Sequence, residues 1–215
     1  YLDKIWNSHS GFNIERKYNQ LPSQKSDSFT LGSFNNYLKI SDDTIEVWSE
    51  ILRNIKNSQL ILKSSVQYSE IHFKKLFEKK GVLNKVIFKD RSVNFAEHIS
   101  LYKNIDLCLD TFPYTGVTTT CEALWMNVPV ISMKGFNFNS RCGESILTNS
   151  NLKYLVAKNK KDYISKALSF SKDLGKLEKI RRQIFNEVLK TDTFNTKRFA
   201  ANFWKSILDT YKNHK

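Results

Sequence analysis

Apolar residues recur along this chain with two different periods, and the two periods alternate. Short apolar runs of about four to eight residues are typical of buried strands, whereas apolar residues spaced three and four apart are typical of amphipathic helices. The short runs predict strands at 29–34, 59–63, 85–89, 105–110, 128–133 and 153–157. The longer period predicts helices at 41–58, 69–81, 95–104, 118–127, 140–150, 160–172, 176–190 and 195–213.

Strands that alternate with helices form βαβ units, and these units build a parallel sheet covered by helices on both faces. The runs "QLIL" and "VPVIS" are apolar throughout, as expected of strands buried on both sides. We therefore predict an α/β fold with a Rossmann-like parallel sheet. Such sheets bind ligands at the carboxyl ends of their strands, which directs attention to Lys39, to residues 110–120 and to the turn after Phe88.

Composition limits the function classes. Hydrophobic residues make up 40% of the 215 positions, which is enough for a core, and no apolar run approaches the roughly 18 residues of a membrane span. The three cysteines lack CxxC spacing, which argues against a disulfide framework or a zinc site. A reducing cytoplasm is the predicted compartment. The first residue is Tyr, so we expect a fragment of a longer protein.

The formal net charge is +13, and the segment 158–215 carries 15 Lys and Arg residues against 6 Asp and Glu residues. One interpretation is a nucleic-acid surface, and another is a set of solvated helix faces. We favour the second, because no helix-turn-helix and no interleaving of aromatic and basic residues is evident. A basic cleft for an anionic substrate is a third interpretation.

The stretch "CLDTFPYTGVTTTCEALWMNVPVIS", residues 108–132, runs from strand to loop to helix. Gly116 allows close approach of the backbone, and Thr118–Thr120 fall at the predicted helix start, where unpaired N–H groups and the dipole favour an anion. Glu122 could accept hydrogen bonds from ribose hydroxyls. These features describe a diphosphate site without a Walker motif, although a threonine N-cap of an ordinary helix would give the same pattern.

Three further residues are candidates on weaker grounds. Lys39 follows the first predicted strand and could neutralise a phosphate, or it could be one surface lysine among many. His98 could face the cleft or simply pack against its neighbours. Arg141 opens a predicted helix and could bind an anion or cap a neighbouring element.

Four separate words of this sequence, in their order and spacing, resemble the C-terminal half of the O-GlcNAc transferase / SPINDLY glycosyltransferases. They are "LGSFNNYLKIS", "EHISLYKNIDLCLDTFPYTGVTTTCEALWMNVPVISMKG", "SRCGESIL" and "FNTKRFAANFW". The resemblance covers about residues 28–213. It implies a GT-B architecture, of which this chain resembles the C-terminal domain, where the nucleotide-sugar donor binds.

The resemblance also implies a domain plan and an activity. Residues 1–28 would be an interdomain linker or tail, 29–194 the Rossmann-like nucleotide-sugar-binding domain, and 195–215 a C-terminal helix that packs back toward an N-terminal half. The family transfers a sugar from UDP-GlcNAc, or from GDP-fucose in the SPINDLY branch, to Ser/Thr hydroxyls of proteins, without a metal or other cofactor.

The resemblance implies site residues at the positions of this chain that match the family's motifs. Asn36 and Lys39 resemble the family's donor-contacting pair, and Lys39 would be catalytic, lying against the β-phosphate to stabilise the leaving nucleoside diphosphate. Thr118 and Thr119 resemble the pair that binds the diphosphate at the helix start.

The remaining carried-over positions concern the nucleoside. Glu122 matches an acidic position near the ribose, His98 matches a histidine near the base, and the backbone of 92–94 would contact the base edge. Two positions depart from the animal enzymes, in which a histidine stands at Val117 and a lysine at Phe95. Both departures are more similar to bacterial members, and they leave the base and sugar open.

Three functions were weighed. The leading one is the donor-binding half of an inverting glycosyltransferase that is inactive alone, since the family's catalytic histidine and tetratricopeptide repeats belong upstream and residues 1–27 are too short to supply them. A nucleotide-binding or protein-binding half-module without transfer activity is the second. Nucleic-acid binding through the basic C-terminal helices is the third.

Overall fold

The computed structural model describes residues 5–63 and 67–213, which build a six-stranded sheet. All strand pairs are parallel, and the strand order is β3-β2-β1-β4-β5-β6. The strands are β1 (Phe29–Ser33), β2 (Ser58–Lys63), β3 (Val86–Lys89), β4 (Leu107–Leu109), β5 (Val130–Met133) and β6 (Val156–Ala157). The predicted Rossmann-like parallel sheet is confirmed.

Eight α-helices alternate with and follow these strands within the described residues. They are α1 (Asp42–Asn54), α2 (Gln67–Lys79), α3 (Phe95–Ser100), α4 (Thr118–Trp125), α5 (Cys142–Asn149), α6 (Lys160–Lys172), α7 (Leu174–Glu187) and α8 (Thr196–Asn213). Helix α1 packs with α2 and α6, whereas α4 packs with α5 and α7, so helices group on the two faces of the sheet.

Most predicted elements are confirmed, and the differences lie at their ends. The predicted helix 95–104 is α3 followed by a tighter 3-10 turn at Leu101–Asn104. The predicted strand 153–157 is wrong in its first part, because Lys153–Leu155 forms a 3-10 turn and only Val156–Ala157 pairs with β5. A short apolar run does not distinguish a strand from a turn that buries one leucine.

Local sequence signals explain where α1 begins and where α2 ends. The hydroxyl of Ser41 accepts a hydrogen bond from the backbone N–H of Thr44 at 3.2 Å, which caps α1. Gly81 has a φ of +71°, the left-handed conformation that commonly ends a helix, and it follows α2. Its N–H donates to the carbonyl of Glu78 at 2.9 Å.

The core lies on both faces of the central strands. Leu31 of β1 and Leu60 and Leu62 of β2 are fully buried, as is Trp48 of α1. Gly32 of β1 faces Ile105, and a Cβ at Gly32 would come within 2.6 Å of the Ile105 side chain. The glycine therefore lets the segment before β4 pack closely against β1.

Residues 5–28, predicted as a linker or tail, lie against this domain. Leu21 is fully buried, and the Arg16 guanidinium donates to the carbonyls of Trp125 and Ile184, each at 2.8 Å. At the other end of the chain, α8 buries none of its residues and exposes Phe203 and Trp204. A link to a further domain and packing of α8 against one stay predictions.

Burial predicts a sharp difference between two leucines. Leu60→Ala removes a fully buried side chain and should lower the free energy of unfolding by about 2–5 kcal/mol, because it leaves a cavity in the core. Leu38→Ala is the matched control, since Leu38 is 83% exposed and should change stability by about 0.5 kcal/mol or less. Urea denaturation measures both, and equal losses would contradict the assigned core.

Candidate functional site

The strand order reverses between β1 and β4, and a crevice opens there at the carboxyl edge of the sheet. Residues 34–39 leave the end of β1, and residues 110–117 connect β4 to the start of α4. Parallel open sheets bind ligands at this switch point, because loops that follow neighbouring strands diverge to opposite faces. The sequence prediction had pointed to the same edge.

A buried carboxylate organises the crevice. Asp110 follows β4 and is 1% exposed. One of its oxygens accepts hydrogen bonds from the N–H of Gly116 at 2.7 Å, the N–H of Thr111 at 2.9 Å and the side-chain amide of Asn35 at 3.2 Å. The other accepts from the hydroxyl of Ser132 at 2.6 Å. Asp110 therefore ties together the segments that follow β1 and β4 and the strand β5.

Two glycines leave room for this carboxylate. A Cβ at Gly116 would lie 3.0 Å from one Asp110 oxygen, and a Cβ at Gly143 would lie 2.6 Å from the other. Burial raises the pKa of Asp110, while the hydrogen bonds from Ser132 and Gly116 and the charge of Lys39 oppose that shift. The close backbone approach lets donors surround a charge that water does not reach.

The start of α4 has no side-chain cap. Val117 stands at the N-cap position, and no side chain there accepts from the first N–H groups. Thr118 is exposed, and the Thr119 hydroxyl donates instead to the side-chain oxygen of Asn35 at 2.9 Å. The threonines therefore do not form an ordinary N-cap, and the first turn of α4 presents its positive end to the crevice.

Lys39 lies beside the loop that leads into α4. Its ammonium donates to the carbonyl of Thr115 at 3.0 Å and lies 4.2 Å from the centre of the Tyr114 ring. Burial lowers the pKa of Lys39, and the nearby charge of Asp110 opposes the change. The structure thus brings Lys39 and the α4 start, predicted separately from the sequence, to the same loop.

A cavity of about 580 Å³ opens next to the crevice, at the ends of β1 and β2. Its lining residues come from three segments: Phe34 and Asn36 after β1, Lys63 at the end of β2, and residues 91–95 and His98 of the loop and helix after β3. A volume of this size is typical of small-molecule sites. Asn36 and His98 line it as predicted site residues, whereas Lys39 and Thr118 do not.

His98 is held from both ring nitrogens. Its Nδ1 lies 2.8 Å from the Lys63 ammonium, and its Nε2 lies 3.0 Å from a carboxylate oxygen of Glu122. The Tyr102 hydroxyl donates to the same oxygen at 3.0 Å. Glu122 is 5% exposed and stands behind the histidine rather than lining the cavity. Its predicted contact with a ribose stays a prediction.

Sequence reasoning missed several of these residues. Asn35 bridges Asp110 and Thr119, and its place next to Asn36 was the one signal in the sequence that could have indicated it. Lys63 gave one usable signal, a cation at the end of an apolar strand on the ligand-binding edge. Arg141 is different, because its guanidinium pairs with Glu144 at 2.9 Å near the surface.

Two further properties can be stated for the described residues, concerning membrane spans and metal sites. None of their helices is both long and apolar enough to cross a membrane. Within the same ranges, no three His, Cys, Asp or Glu side chains are grouped so that they could hold a metal ion. The cytoplasmic location and the metal-free mechanism stay predictions.

A six-stranded parallel sheet with an open helix start at its switch point is the architecture of a domain of the GT-B glycosyltransferase fold. A family model described as glycosyl transferase family 41 matches residues 12–203. The chain belongs to this family, which confirms the resemblance found in the sequence.

Individual relatives agree with this assignment. The chain is 33% identical over 197 residues to an Arabidopsis thaliana protein named as a probable UDP-N-acetylglucosamine–peptide N-acetylglucosaminyltransferase SPINDLY, covering 90% of the chain and 22% of that protein. It is similar to the solved Thermobaculum terrenum O-GlcNAc transferase, with a TM-score of 0.81 and 26% identity over 86% of the chain and 36% of the other.

A more distant structure shows the fold alone. The Anabaena protein HepE, solved with UDP and glucose, has a TM-score of 0.65 and 15% identity, covering 95% of the chain and 56% of HepE. The chain thus spans about a fifth of the Arabidopsis relative and about a third of the Thermobaculum enzyme.

The Asp110 contacts predict an order of stability among variants. Asp110→Ala leaves at least three buried donors without their acceptor and should lower the free energy of unfolding by on the order of 3–5 kcal/mol. Ser132→Ala removes one donor and should cost about 1 kcal/mol. Chemical denaturation compares the two, and equal losses would show that Asp110 does not organise the crevice.

Proposed function

We propose that this chain is the donor-binding domain of a protein O-glycosyltransferase, which binds UDP-GlcNAc for inverting transfer to Ser/Thr hydroxyls. One observation supports it most strongly: the Lys39 ammonium contacts the loop that leads into the uncapped start of α4. A helix start and a cation placed together suit a diphosphate, the group shared by nucleotide-sugar donors.

In this proposal Lys39 acts at the reacting end of the donor. When the bond between the sugar and the β-phosphate breaks, negative charge develops on the departing nucleoside diphosphate. The ammonium of Lys39 and the N–H groups at Thr118 and Thr119 stabilise that charge, so the transfer needs no metal ion or other cofactor. Asp110 holds the loop that leads into α4 and that Lys39 contacts at Thr115.

The nucleoside occupies the neighbouring cavity. His98 and Asn36 line it, and residues 92–94 supply backbone groups to the base edge. The volume of about 580 Å³ is suitable for a base and its ribose. The printed name of the Arabidopsis relative specifies UDP-N-acetylglucosamine and a peptide, which supports this donor and a protein acceptor for the present chain.

The reaction itself needs more than this domain. Transfer requires an acceptor hydroxyl held in line with the anomeric carbon, and the described residues supply the donor side of that arrangement. The longer relatives support an upstream half that completes the active site. We infer that the chain alone binds donor without turnover.

Calorimetry tests the donor site directly. Titration of the chain with UDP, GDP and UDP-GlcNAc should show saturable binding, and Lys39→Ala should weaken it by about 1.5–3 kcal/mol, as expected for loss of a hydrogen bond to a charged group. The same titrations distinguish a uridine donor from the GDP-fucose alternative.

Lys172→Ala is the matched control, because this exposed lysine ends α6 and should leave nucleotide affinity unchanged. A folded chain that binds none of these nucleotides at millimolar concentration would refute the donor site and favour the half-module without transfer activity. If Lys39→Ala and Lys172→Ala weaken nucleotide binding equally, Lys39 is not part of the donor site.

A further inference from the structure

The contact between Lys63 and His98 fixes which ring nitrogen carries the hydrogen. An ammonium has donors and no acceptor, so the Nδ1 of His98 must accept the hydrogen bond from Lys63 at 2.8 Å. The hydrogen of the neutral ring is then on Nε2, which donates to Glu122 at 3.0 Å. Both nitrogens are occupied, and His98 offers a ligand only the face of its ring.

Aromatic side chains stand around that ring. The centroids of Phe34 and Phe95 each lie 5.9 Å from the centroid of His98, and all three residues line the cavity. Flat apolar surfaces of this kind hold a planar group by stacking. They give little discrimination between one nucleobase and another, so discrimination has to come from the polar groups of the lining.

Most polar side chains of the cavity offer donors to a ligand, and the Ser92 hydroxyl can both donate and accept. Lys63 and Arg91 carry donors only. The side-chain oxygens of the two lining asparagines each already accept one hydrogen bond, since Asn36 accepts from the N–H of Leu38 at 3.0 Å and Asn94 accepts from that of Glu97 at 2.9 Å. Among the described residues that line the cavity there is no Asp or Glu.

We propose that Lys63 is a specificity-determining residue that selects a base with an oxo group over the matching base with an amino group. The oxo group, O4 of uracil or O6 of guanine, accepts from the Lys63 ammonium. The amino group of cytosine or adenine at the same place is itself a donor, so it cannot accept from the N–H groups of Lys63 that His98 does not use. This inference rests on the proposed donor site and names the chemistry by which its base is chosen.

Burial makes this discrimination effective. Lys63 is 8% exposed, so water does not readily replace a missing acceptor. A site that leaves a buried polar group unpaired with the wrong ligand rejects that ligand more strongly than an apolar pocket does. Lys63 also positions His98, so one side chain fixes the stacking surface and reads the edge of the base.

The test compares UDP with CDP, which differ at the position that Lys63 would read. Calorimetry on the chain should show UDP binding about tenfold to a hundredfold more tightly than CDP. Lys63→Met should bring the two affinities to within about threefold of each other, mainly by weakening UDP. Lys89→Met is the matched control: Lys89 ends β3, is the strand partner of Lys63, is exposed and should leave the ratio unchanged.

Three outcomes would overturn the proposal. Equal affinity of the unaltered chain for UDP and CDP would show that Lys63 does not distinguish the oxo group from the amino group. Equal weakening of both by Lys63→Met would show that the lysine acts only through its charge, as in a phosphate site. Failure of UDP, GDP, CDP and ADP to bind would refute the donor site together with this inference, whereas binding without oxo preference would refute the inference alone.

If the donor site binds guanine instead of uracil, the same test compares the affinities for GDP and ADP. If Lys63→Met does not fold, Lys63→Gln keeps a donor with less charge and should retain part of the preference. Nitrogen NMR of the unaltered chain adds a readout independent of ligand: the Nδ1 of His98 should lack a hydrogen, and a ring protonated only at Nδ1 would contradict the tautomer on which the argument rests.

Discussion

The crevice depends on one buried carboxylate. Asp110 lies where the strand order reverses, and its oxygens accept from groups that follow β1 and β4 and from the hydroxyl of Ser132 in β5. Two loops and a neighbouring strand are held by a single carboxylate, and Gly116 and Gly143 let the backbone come close enough. The hydrogen bonds from Thr111 and Gly116 to Asp110 fix the loop that carries Thr115, the partner of Lys39.

The two parts of the site offer a ligand different kinds of interaction. The start of α4 and Lys39 offer positive charge to an anion, whereas the neighbouring cavity offers ring faces and hydrogen-bond donors to a planar group. They are joined through Glu122, which belongs to α4 and holds His98 at the cavity wall. A ligand that carries a diphosphate on a nucleoside matches both parts at once, which is why a nucleotide-sugar site explains the geometry as a whole.

The sequence predicted the fold well because each strand and helix has its own local signal. Apolar runs such as that of β2, caps such as Ser41 and the left-handed Gly81 act over a few residues, and the βαβ alternation then leaves few topologies. The error at 153–157 arose where a short apolar run carries no period that separates a strand from a turn.

Residues of the site could be predicted from the sequence only where the residue type and its local position indicate a chemical role. Thr118, Thr119 and Lys39 can be found from a loop and a helix start, but Asn35 and Lys63 acquire their roles from partners 84 and 35 residues away. Long-range pairs of this kind leave no pattern in a single sequence. Family membership confirmed the resemblance, and the contacts of Asp110 and His98 became visible only in the folded chain.

The central claim is that one nucleotide occupies both the α4 start and the cavity beside His98. Amide NMR of the chain titrated with UDP tests it most directly, since N–H groups that bind an anion change their shifts. We predict the largest changes at Thr118–Thr120 and at residues 91–98, moving together with one affinity. Changes confined to other parts of the chain, or two groups of changes with different affinities, would contradict a single donor site.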